Sequence, residues 1–285
     1  MKIPALVLFA STICVSAYAG LQTDIEYGVA AGESLKLDAY VPDGAGPFPA
    51  VILVHGGGWN AGDKSGGPQK GYMAPMHGAL EKAGFAWFSI NYRLAPKHPY
   101  PACIEDVETA IRWVKANASK YHLDPNCLAL SGESAGGHLV ELAMVRMNDA
   151  TRLAAVVPFY GRCDLITGEK PGAEMRTNLA QLIGRKNFDA EAEKIMRGAS
   201  PLFHLKAGLP PCLLVHGTAD ASVPYEQSVA WEKRSRELGL KCDFITIKDG
   251  VHGMISWDKV APDYREQVVA WLVKTLKIDA GKPTR

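Results

Sequence analysis

The chain has 285 residues, a formal net charge of +1 from 31 Lys and Arg against 30 Asp and Glu, and 47% hydrophobic residues. This ordinary globular composition excludes a disordered chain, a collagen and a coiled coil, and the balanced charge gives no support for a nucleic-acid-binding protein. The six cysteines are too few for a disulfide framework and form no CxxC pair, so we do not expect a structural zinc site.

The first 19 residues have the pattern of a secretory signal peptide. Lys2 is their only charge, an apolar run follows over Ala5–Val15, and a small-x-small ending predicts cleavage after Ala19. The run is too short for a membrane anchor, which needs about 20 apolar residues. A lipoprotein signal is disfavoured because an isoleucine precedes the only cysteine of the run. We therefore expect a secreted or periplasmic protein whose mature chain, 20–285, is one soluble domain with no net charge.

The mature chain alternates between strand and helix patterns. Two strand patterns at Ile25–Val29 and Ser34–Val41 have no helix between them, which predicts an antiparallel hairpin at a sheet edge. Continuous apolar runs then predict strands buried on both faces, at Ala50–Val54, Ala86–Ile90, Cys127–Leu130, Ala154–Phe159, Leu213–Val215 and Phe244–Ile247. Helical patterns lie at Met73–Ala83, Ala102–Ala118, Leu139–Met147, Ser228–Leu238 and Tyr264–Leu276. This alternation predicts an α/β fold with a mostly parallel central sheet and helices on both faces.

The segment Gly161–Pro210 interrupts this regular pattern. It is polar, biased towards helix and placed between two predicted buried strands. Irregular segments of this length inside a compact domain are usually functional. We therefore expect a helical, lid-like insertion over residues 161–210.

A short motif at the end of one predicted strand carries the nucleophile. Gly132-Glu133-Ser134-Ala135-Gly136 follows the strand directly and precedes an apolar helix. A G-x-S-x-G sequence in this context is a nucleophile elbow, which exposes its serine on a sharp turn above the sheet. The flanking glycines are needed because a Cβ there would clash with the neighbouring strand and helix. We predict Ser134 as the nucleophile.

The serine needs a base and an orienting acid, which follow an elbow of this kind in the order acid, then histidine. Three histidines follow the elbow helix, namely His204, His216 and His252. The first lies in the lid-like segment and the second precedes the candidate acid, which leaves His252 as the base. Asp220, just after a buried strand, is the predicted acid. Asp249 is a rival, but it lies only three residues from His252, where a side-on approach to the imidazole is harder.

The sequence His55-Gly56-Gly57-Gly58-Trp59 follows the first buried strand. It matches the glycine-rich loop that offers backbone N–H groups to a reacting carbonyl oxygen. We predict Gly56, Gly57 and Ala135 as the oxyanion donors, with His55 holding the loop. A phosphate-binding loop is excluded because the G-K-[ST] ending is absent.

Other residues at predicted strand ends are weaker candidates. Aromatic side chains there can line a ligand pocket or simply pack in the core; they are Trp59, Tyr92 and Tyr160. We expect His138 and an Arg93–Asp106 ion pair to be structural. Cys212 and Cys242 begin strands that should be neighbours, so they form the only plausible disulfide; otherwise the cysteines are small buried apolar residues.

These motifs together resemble those of the α/β-hydrolase esterases related to hormone-sensitive lipase, and most closely the bacterial carbohydrate acetyl and feruloyl esterases of the BD-FAE type. The resemblance covers nearly all of residues 24–276 and includes Gly62-Asp63-Lys64, Asn91–Pro96, Asp106–Trp113 and Val223-Pro224 besides the motifs above. It implies an α/β-hydrolase fold, the triad of Ser134, Asp220 and His252, the same oxyanion donors, and chemistry without a metal or cofactor. Cys127 departs from the pattern, since relatives usually have a basic residue there, but this affects packing below the sheet rather than catalysis.

The predicted function is therefore a secreted serine carboxylesterase that hydrolyses short-chain or aryl esters, with acetyl or feruloyl groups on carbohydrate as candidate substrates. An amidase resembling arylformamidase would use the same triad and stays open. A peptidase resembling the prolyl oligopeptidase group fits less well, because its elbow is not normally accompanied by HGGGW. A non-catalytic esterase-like binding protein would be expected to have lost a triad residue. The neutral mature chain indicates no electrostatic preference for an anionic polymer.

Overall fold

The computed structural model describes residues 18–66 and 73–278. Nearly all of the predicted signal peptide, residues 1–17, lies outside these ranges. One eight-stranded sheet has the order β1-β2-β4-β3-β5-β6-β7-β8. Its strands are β1 Gly20–Ala30, β2 Glu33–Val41, β3 Phe48–Val54, β4 Ala86–Ile90, β5 Leu123–Glu133, β6 Ala155–Phe159, β7 Cys212–Gly217 and β8 Cys242–Ile247. The helices are α1 Ala74–Lys82, α2 Ala102–Ala116, α3 Ala135–Arg146, α4 Thr177–Ile183, α5 Ala190–Ala199, α6 Glu226–Glu237 and α7 Tyr264–Thr275.

The sheet is antiparallel at one edge and parallel elsewhere. Strand β1 pairs antiparallel with β2, and β2 pairs antiparallel with β4. Every pairing from β4 through β3 to β8 is parallel. The α/β prediction and the edge hairpin are confirmed. Strand β1 starts at Gly20 rather than Ile25 because its backbone pairing reaches Val41, the last residue of β2.

The continuous apolar strands arise because both faces of the sheet are covered. Alternate residues of β3 pack into different core clusters, with Ile52 on one face and Leu53 on the other. Helices α2, α3 and α6 cover the face of Ile52, and α1 and α7 cover the opposite face. The parallel strands therefore point their carboxyl ends to one edge of the sheet, where a ligand site is expected in an open α/β fold.

One segment differs from a plain alternating pattern. The predicted insertion contains α4, α5 and a 3₁₀ helix at Pro201–His204, and its Leu182 and Met196 are fully buried in the core cluster shared with α2 and α3. Among the described residues, no helix is long and apolar enough to cross a bilayer.

The five cysteines of the described ranges are all free. Cys212 and Cys242 are direct register partners on β7 and β8, as the sequence predicts, but they form no disulfide here. Burial raises the pKa of the Cys212 thiol well above its usual value, so this thiol stays protonated. The pair therefore packs as small apolar side chains.

Candidate active site

Ser134 occupies a strained turn between β5 and α3. Its φ of 54° and ψ of −116° lie in a region of backbone conformation that residues other than glycine rarely adopt. The neighbouring chain leaves no room for larger residues, because a Cβ on Gly132 or Gly136 would lie 2.8 or 2.1 Å from the Val54 carbonyl oxygen. The predicted elbow is therefore present, with β3 and α3 in close backbone contact beneath the serine.

The three predicted triad residues meet at the carboxyl ends of three strands. Asp220 follows β7 and His252 follows β8, while Ser134 follows β5. His252 Nε2 lies 3.0 Å from Ser134 Oγ, and His252 Nδ1 lies 2.7 Å from Asp220 Oδ2. The rival Asp249 has a φ of +59°, and its backbone N–H donates to Thr218 Oγ1 at 2.9 Å. Of the two candidate acids, Asp220 is therefore the one that contacts His252.

The Asp220 carboxylate is buried but heavily hydrogen-bonded. Burial alone raises its pKa, but bonds from His216, His252 and the Val223 N–H outweigh burial and hold the pKa well below its usual range. His216 Nε2 lies 3.4 Å from Asp220 Oδ2 and 3.0 Å from the Val223 carbonyl oxygen. Because both neighbours are acceptors, Nε2 is a ring nitrogen that carries a hydrogen. The carboxylate is thus ionised and fixed, as an orienting acid must be. His216, which chain order excludes as the base, therefore supports the acid instead.

The glycine-rich loop does not follow the predicted donor assignment in full. Gly57 and Gly58 have φ values of +99° and +61°, line the cavity above Ser134, and donate no backbone N–H to another described residue. Gly56 does not line the cavity. Its backbone instead hydrogen-bonds the Glu133 carboxyl, and a Cβ on it would lie 1.8 Å from Glu133 Oε1. The prediction for Gly56 does not fit this placement, and Gly58 takes its position beside Gly57 and Ala135.

Tyr92 also lies outside the cavity, contrary to its prediction as a substrate contact. Its ring stacks on His55 at 4.3 Å, and its hydroxyl donates to the carbonyl oxygens of His55 and Gly56 at 3.1 and 3.3 Å. Tyr92 therefore supports the glycine-rich loop from behind. The expected Arg93–Asp106 ion pair is present nearby, with Arg93 Nη2 lying 2.7 Å from Asp106 Oδ1.

A cavity of about 410 Å³ opens above the serine. Two of its lining residues are the predicted aromatic side chains Trp59 and Tyr160. Trp59 donates its indole N–H to His138 Nδ1 at 3.1 Å, and the Tyr160 ring lies 4.8 Å from that of His252. His138 is fully buried and bonded on both ring nitrogens, as expected of a structural histidine. The remaining lining residues are Glu133, Arg162, Arg176, Asn178, Leu179, Ser222, Val223, Gly253, Met254 and Ile255.

Three ionisable residues of the cavity were not identified as candidates from the sequence. Glu133 is 4% exposed, and burial raises its pKa to about 7 despite hydrogen bonds from Tyr160 and the backbone of Gly56. Its place inside the elbow motif was a signal that could have identified it. Arg162 follows β6 at the carboxyl edge, which is a weaker signal of the same kind. Arg176 belongs to the irregular insertion, where no periodicity indicates which side chains face the serine.

Comparison with known proteins identifies the family of this chain. The BD-FAE family model matches residues 37–234. The chain belongs to the BD-FAE family. Among curated relatives, Esterase LipC of Mycobacterium tuberculosis is 36% identical over 220 residues, which are 73% of this chain and 53% of that protein. Esterase LipQ of the same organism is 32% identical over 78% of this chain and 54% of its own length. The chain thus spans about half the length of these relatives.

Solved structures give the same fold over most of the chain. A truncated carbohydrate esterase from gut microbiota is 28% identical, with a TM-score of 0.78 over 92% of this chain and 98% of its own. A thermophilic esterase from Thermogutta terrifontis, 24% identical, has a TM-score of 0.74 over 94% of this chain and 96% of its own. The predicted α/β-hydrolase fold is confirmed.

Proposed function

We propose that this protein is a carboxylesterase that acts by two-step acyl transfer on Ser134. The observation that carries the proposal is the continuous hydrogen-bonded series from Asp220 through His252 to Ser134 Oγ, with contacts of 2.7 and 3.0 Å. His252 takes the serine proton as Oγ attacks the ester carbonyl, and Asp220 stabilises the resulting imidazolium. His252 then protonates the leaving alcohol, and a water molecule hydrolyses the acyl-enzyme.

The backbone N–H groups of Gly57, Gly58 and Ala135 complete the proposed mechanism. They border the same cavity as Ser134 and can donate to the carbonyl oxygen as negative charge develops on it. Each such donor contributes on the order of 3 kcal/mol to transition-state stabilisation. Gly57 and Gly58 can adopt the positive φ that this loop requires because they have no side chain.

The substrate class follows from the cavity and from the family. A volume of about 410 Å³ is in the lower part of the range for small-molecule sites, which favours short-chain or aryl esters over long acyl chains. A structural neighbour is named a carbohydrate esterase. We therefore propose acetyl or feruloyl groups on carbohydrate as candidate natural substrates.

Two measurements test the activity. Wild-type protein should hydrolyse p-nitrophenyl acetate and bind a fluorophosphonate probe at Ser134. The Ser134→Ala variant should keep its far-ultraviolet circular dichroism and lose both properties. Turnover that persists in this variant would contradict the mechanism. A panel of acetylated xylan, methyl ferulate, long-chain p-nitrophenyl esters and N-formylkynurenine then separates a carbohydrate esterase from a lipase or an amidase.

We also propose that the protein is exported and loses residues 1–19. The support is the apolar run and small-residue ending of the N-terminal sequence. Expression of the full chain in a bacterial host, followed by cell fractionation and N-terminal sequencing, tests this proposal. A product in the periplasm or medium that begins at Gly20 is expected, and an intact N-terminus in the cytoplasm would contradict it.

A further inference from the structure

Arg162 is a buried cation in the wall of the cavity that forms no ion pair with any described residue. It follows β6 by three residues and is 8% exposed. It lines the same cavity as Ser134, and no described residue forms a hydrogen bond or ion pair with its guanidinium. A buried guanidinium is normally paired, because removing it from water without a partner is unfavourable.

Another buried arginine of the chain shows what pairing looks like. Arg93 has a side chain only 10% exposed, and Asp106 accepts from both its Nε and its Nη2. Arg162 has two acids near it, but neither is available in this way. The Asp164 carboxylate already accepts from Ile166 N, Thr167 N and Thr167 Oγ1. Glu169 acts only at longer range, outside ion-pair distance.

A second arginine faces the same space. Arg176 lies just before α4 in the insertion, is exposed, and lines the cavity together with Arg162. Burial and then the nearby charge of Arg176 lower the pKa of Arg162 from its ordinary value. Two cations that repel each other across a cavity are stabilised when an anion enters between them.

The remaining ionisable groups of the cavity have other partners. Glu133 interacts with Tyr160, His252 and the backbone of Gly56. His252 lies between Ser134 and Asp220. The free charge that the cavity offers to a substrate is therefore positive, and it is contributed by the two arginines.

We propose that the cavity binds esters that carry a carboxylate, and that Arg162 and Arg176 hold this carboxylate while Ser134 attacks the ester carbonyl. The planar guanidinium forms two parallel hydrogen bonds to a carboxylate, which suits this recognition. The carboxylate belongs either to the acyl part or to the alcohol part of the ester. The inference rests on the proposed esterase function and narrows its substrates to acidic ones.

Matched pairs of acidic and neutral esters test the proposal. On the acyl side the pair is p-nitrophenyl hydrogen adipate and p-nitrophenyl methyl adipate; on the alcohol side it is 4-acetoxybenzoate and methyl 4-acetoxybenzoate. For at least one pair, wild-type kcat/KM should favour the acidic ester by about tenfold or more. Arg162→Gln should lower this ratio by about 10- to 100-fold, and Arg176→Gln by a smaller factor because its side chain is exposed.

Two further variants serve as references. Arg162→Lys keeps the charge but loses the bidentate geometry, so it should keep only part of the ratio. Arg152→Gln removes an exposed arginine at the opposite end of β6 and should leave the ratio as in the wild type. Arg162→Gln alters a buried side chain and can therefore fail to fold. In that case the ratio measured for Arg176→Gln decides the test.

The outcomes separate this inference from the proposed function. A ratio near one in both wild-type pairs, or a ratio unchanged in Arg162→Gln and Arg176→Gln, would overturn the carboxylate site. If the neutral esters are still hydrolysed and Ser134→Ala abolishes that turnover, the esterase mechanism stands without the inference. If neither ester of either pair is hydrolysed and Ser134 takes no fluorophosphonate, the proposed function itself fails.

Discussion

The two walls of the cavity are built in different ways. The wall at the strand ends holds Ser134 and His252, which lie 3.0 Å apart, and the buried Asp220 contacts His252 at 2.7 Å. The wall that includes the insertion holds Arg162 and Arg176, whose guanidinium groups have no bonded partner among the described residues of the cavity. The three triad side chains are hydrogen-bonded to one another, whereas the two arginines are left for a ligand to pair with.

This difference separates the reaction from the choice of substrate. The sheet fixes the triad, because three parallel strands end at the same edge and their loops are short. The insertion contributes no residue to the triad, so its side chains that line the cavity can select among esters.

Replacement of Asp220 should damage the strand-end wall most severely. In Asp220→Asn the amide cannot stabilise the imidazolium of His252, so kcat for p-nitrophenyl acetate should fall by about 10⁴-fold. Asp249→Asn is the matched control, since this rival acid has a φ of +59° that asparagine tolerates. It should keep activity close to that of the wild type. Equal losses of kcat in the two variants would contradict the assignment of Asp220 as the acid.

Replacement of a glycine in the glycine-rich loop should cause the second-largest loss of activity. A Cβ on Gly57 would lie 2.2 Å from the Ala61 carbonyl oxygen, and the φ of +99° is unfavourable for alanine. Gly57→Ala should therefore displace the oxyanion donors and lower kcat by about 10²- to 10³-fold. Fluorophosphonate labelling of Ser134 should slow in parallel. Gly239→Ala has a similarly positive φ but open space around its Cβ, and it should leave kcat unchanged.

Glu133 should make the stability of the strand-end wall depend on pH. Its folded pKa of about 7 is raised above the ordinary 4.5 by burial, so the folded state holds the proton more tightly than the unfolded state. The contribution of Glu133 to the free energy of unfolding is therefore greatest below about pH 4.5 and falls as pH rises to about 7, by at most about 3 kcal/mol. Glu133→Gln removes this ionisation.

Urea unfolding curves at several pH values measure this effect. The variant should match the wild type near pH 4.5 and be more stable above pH 7. Glu26→Gln, on the exposed edge strand β1, provides the control and should follow the wild-type pH dependence. Parallel curves for Glu133→Gln and the wild type would contradict the assigned pKa.

The smallest effect should come from the link between the two walls. Asn60, next to the glycine-rich loop, donates its side-chain amide to Gln181 Oε1 of α4 at 2.5 Å. This bond is exposed, so Gln181→Ala should change kcat/KM by no more than about threefold. Steady-state kinetics with p-nitrophenyl acetate measure the change. A loss comparable to that of Gly57→Ala would show that the insertion takes part in the reaction itself.

The sequence was most informative where local chemistry constrains the backbone. The elbow around Ser134, the strand-end position of Asp220 and the glycine-flanked loop of His252 could all be read from motifs and chain order. Helix α3 begins at Ala135 rather than Leu139 because the elbow glycines lack the side chains that mark a helical pattern. The choice between Gly56 and Gly58 depended on which way each peptide turns, and adjacent glycines give no signal of that direction.

Side chains that act over long sequence separations were harder to predict. Tyr92 lies at a strand end, as a ligand contact would, but it turns back under the loop of His55. Arg176 reaches the cavity through the packing of an insertion with no periodic pattern. The register of Cys212 against Cys242 was predictable from the strand order, whereas the absence of a bond between them was not.

The buried His138 links the insertion to the glycine-rich loop. Its Nδ1 accepts from the Trp59 indole, and its Nε2 donates to the carbonyl oxygen of Ala199, the last residue of α5, at 2.7 Å. Burial lowers the pKa of His138 to about 4, so near neutral pH Nδ1 remains an acceptor and both bonds persist. The His138 imidazole therefore joins the insertion to Trp59, which directly follows the three glycines of the loop. This part of the cavity wall is therefore set by bonds within the protein before an ester binds.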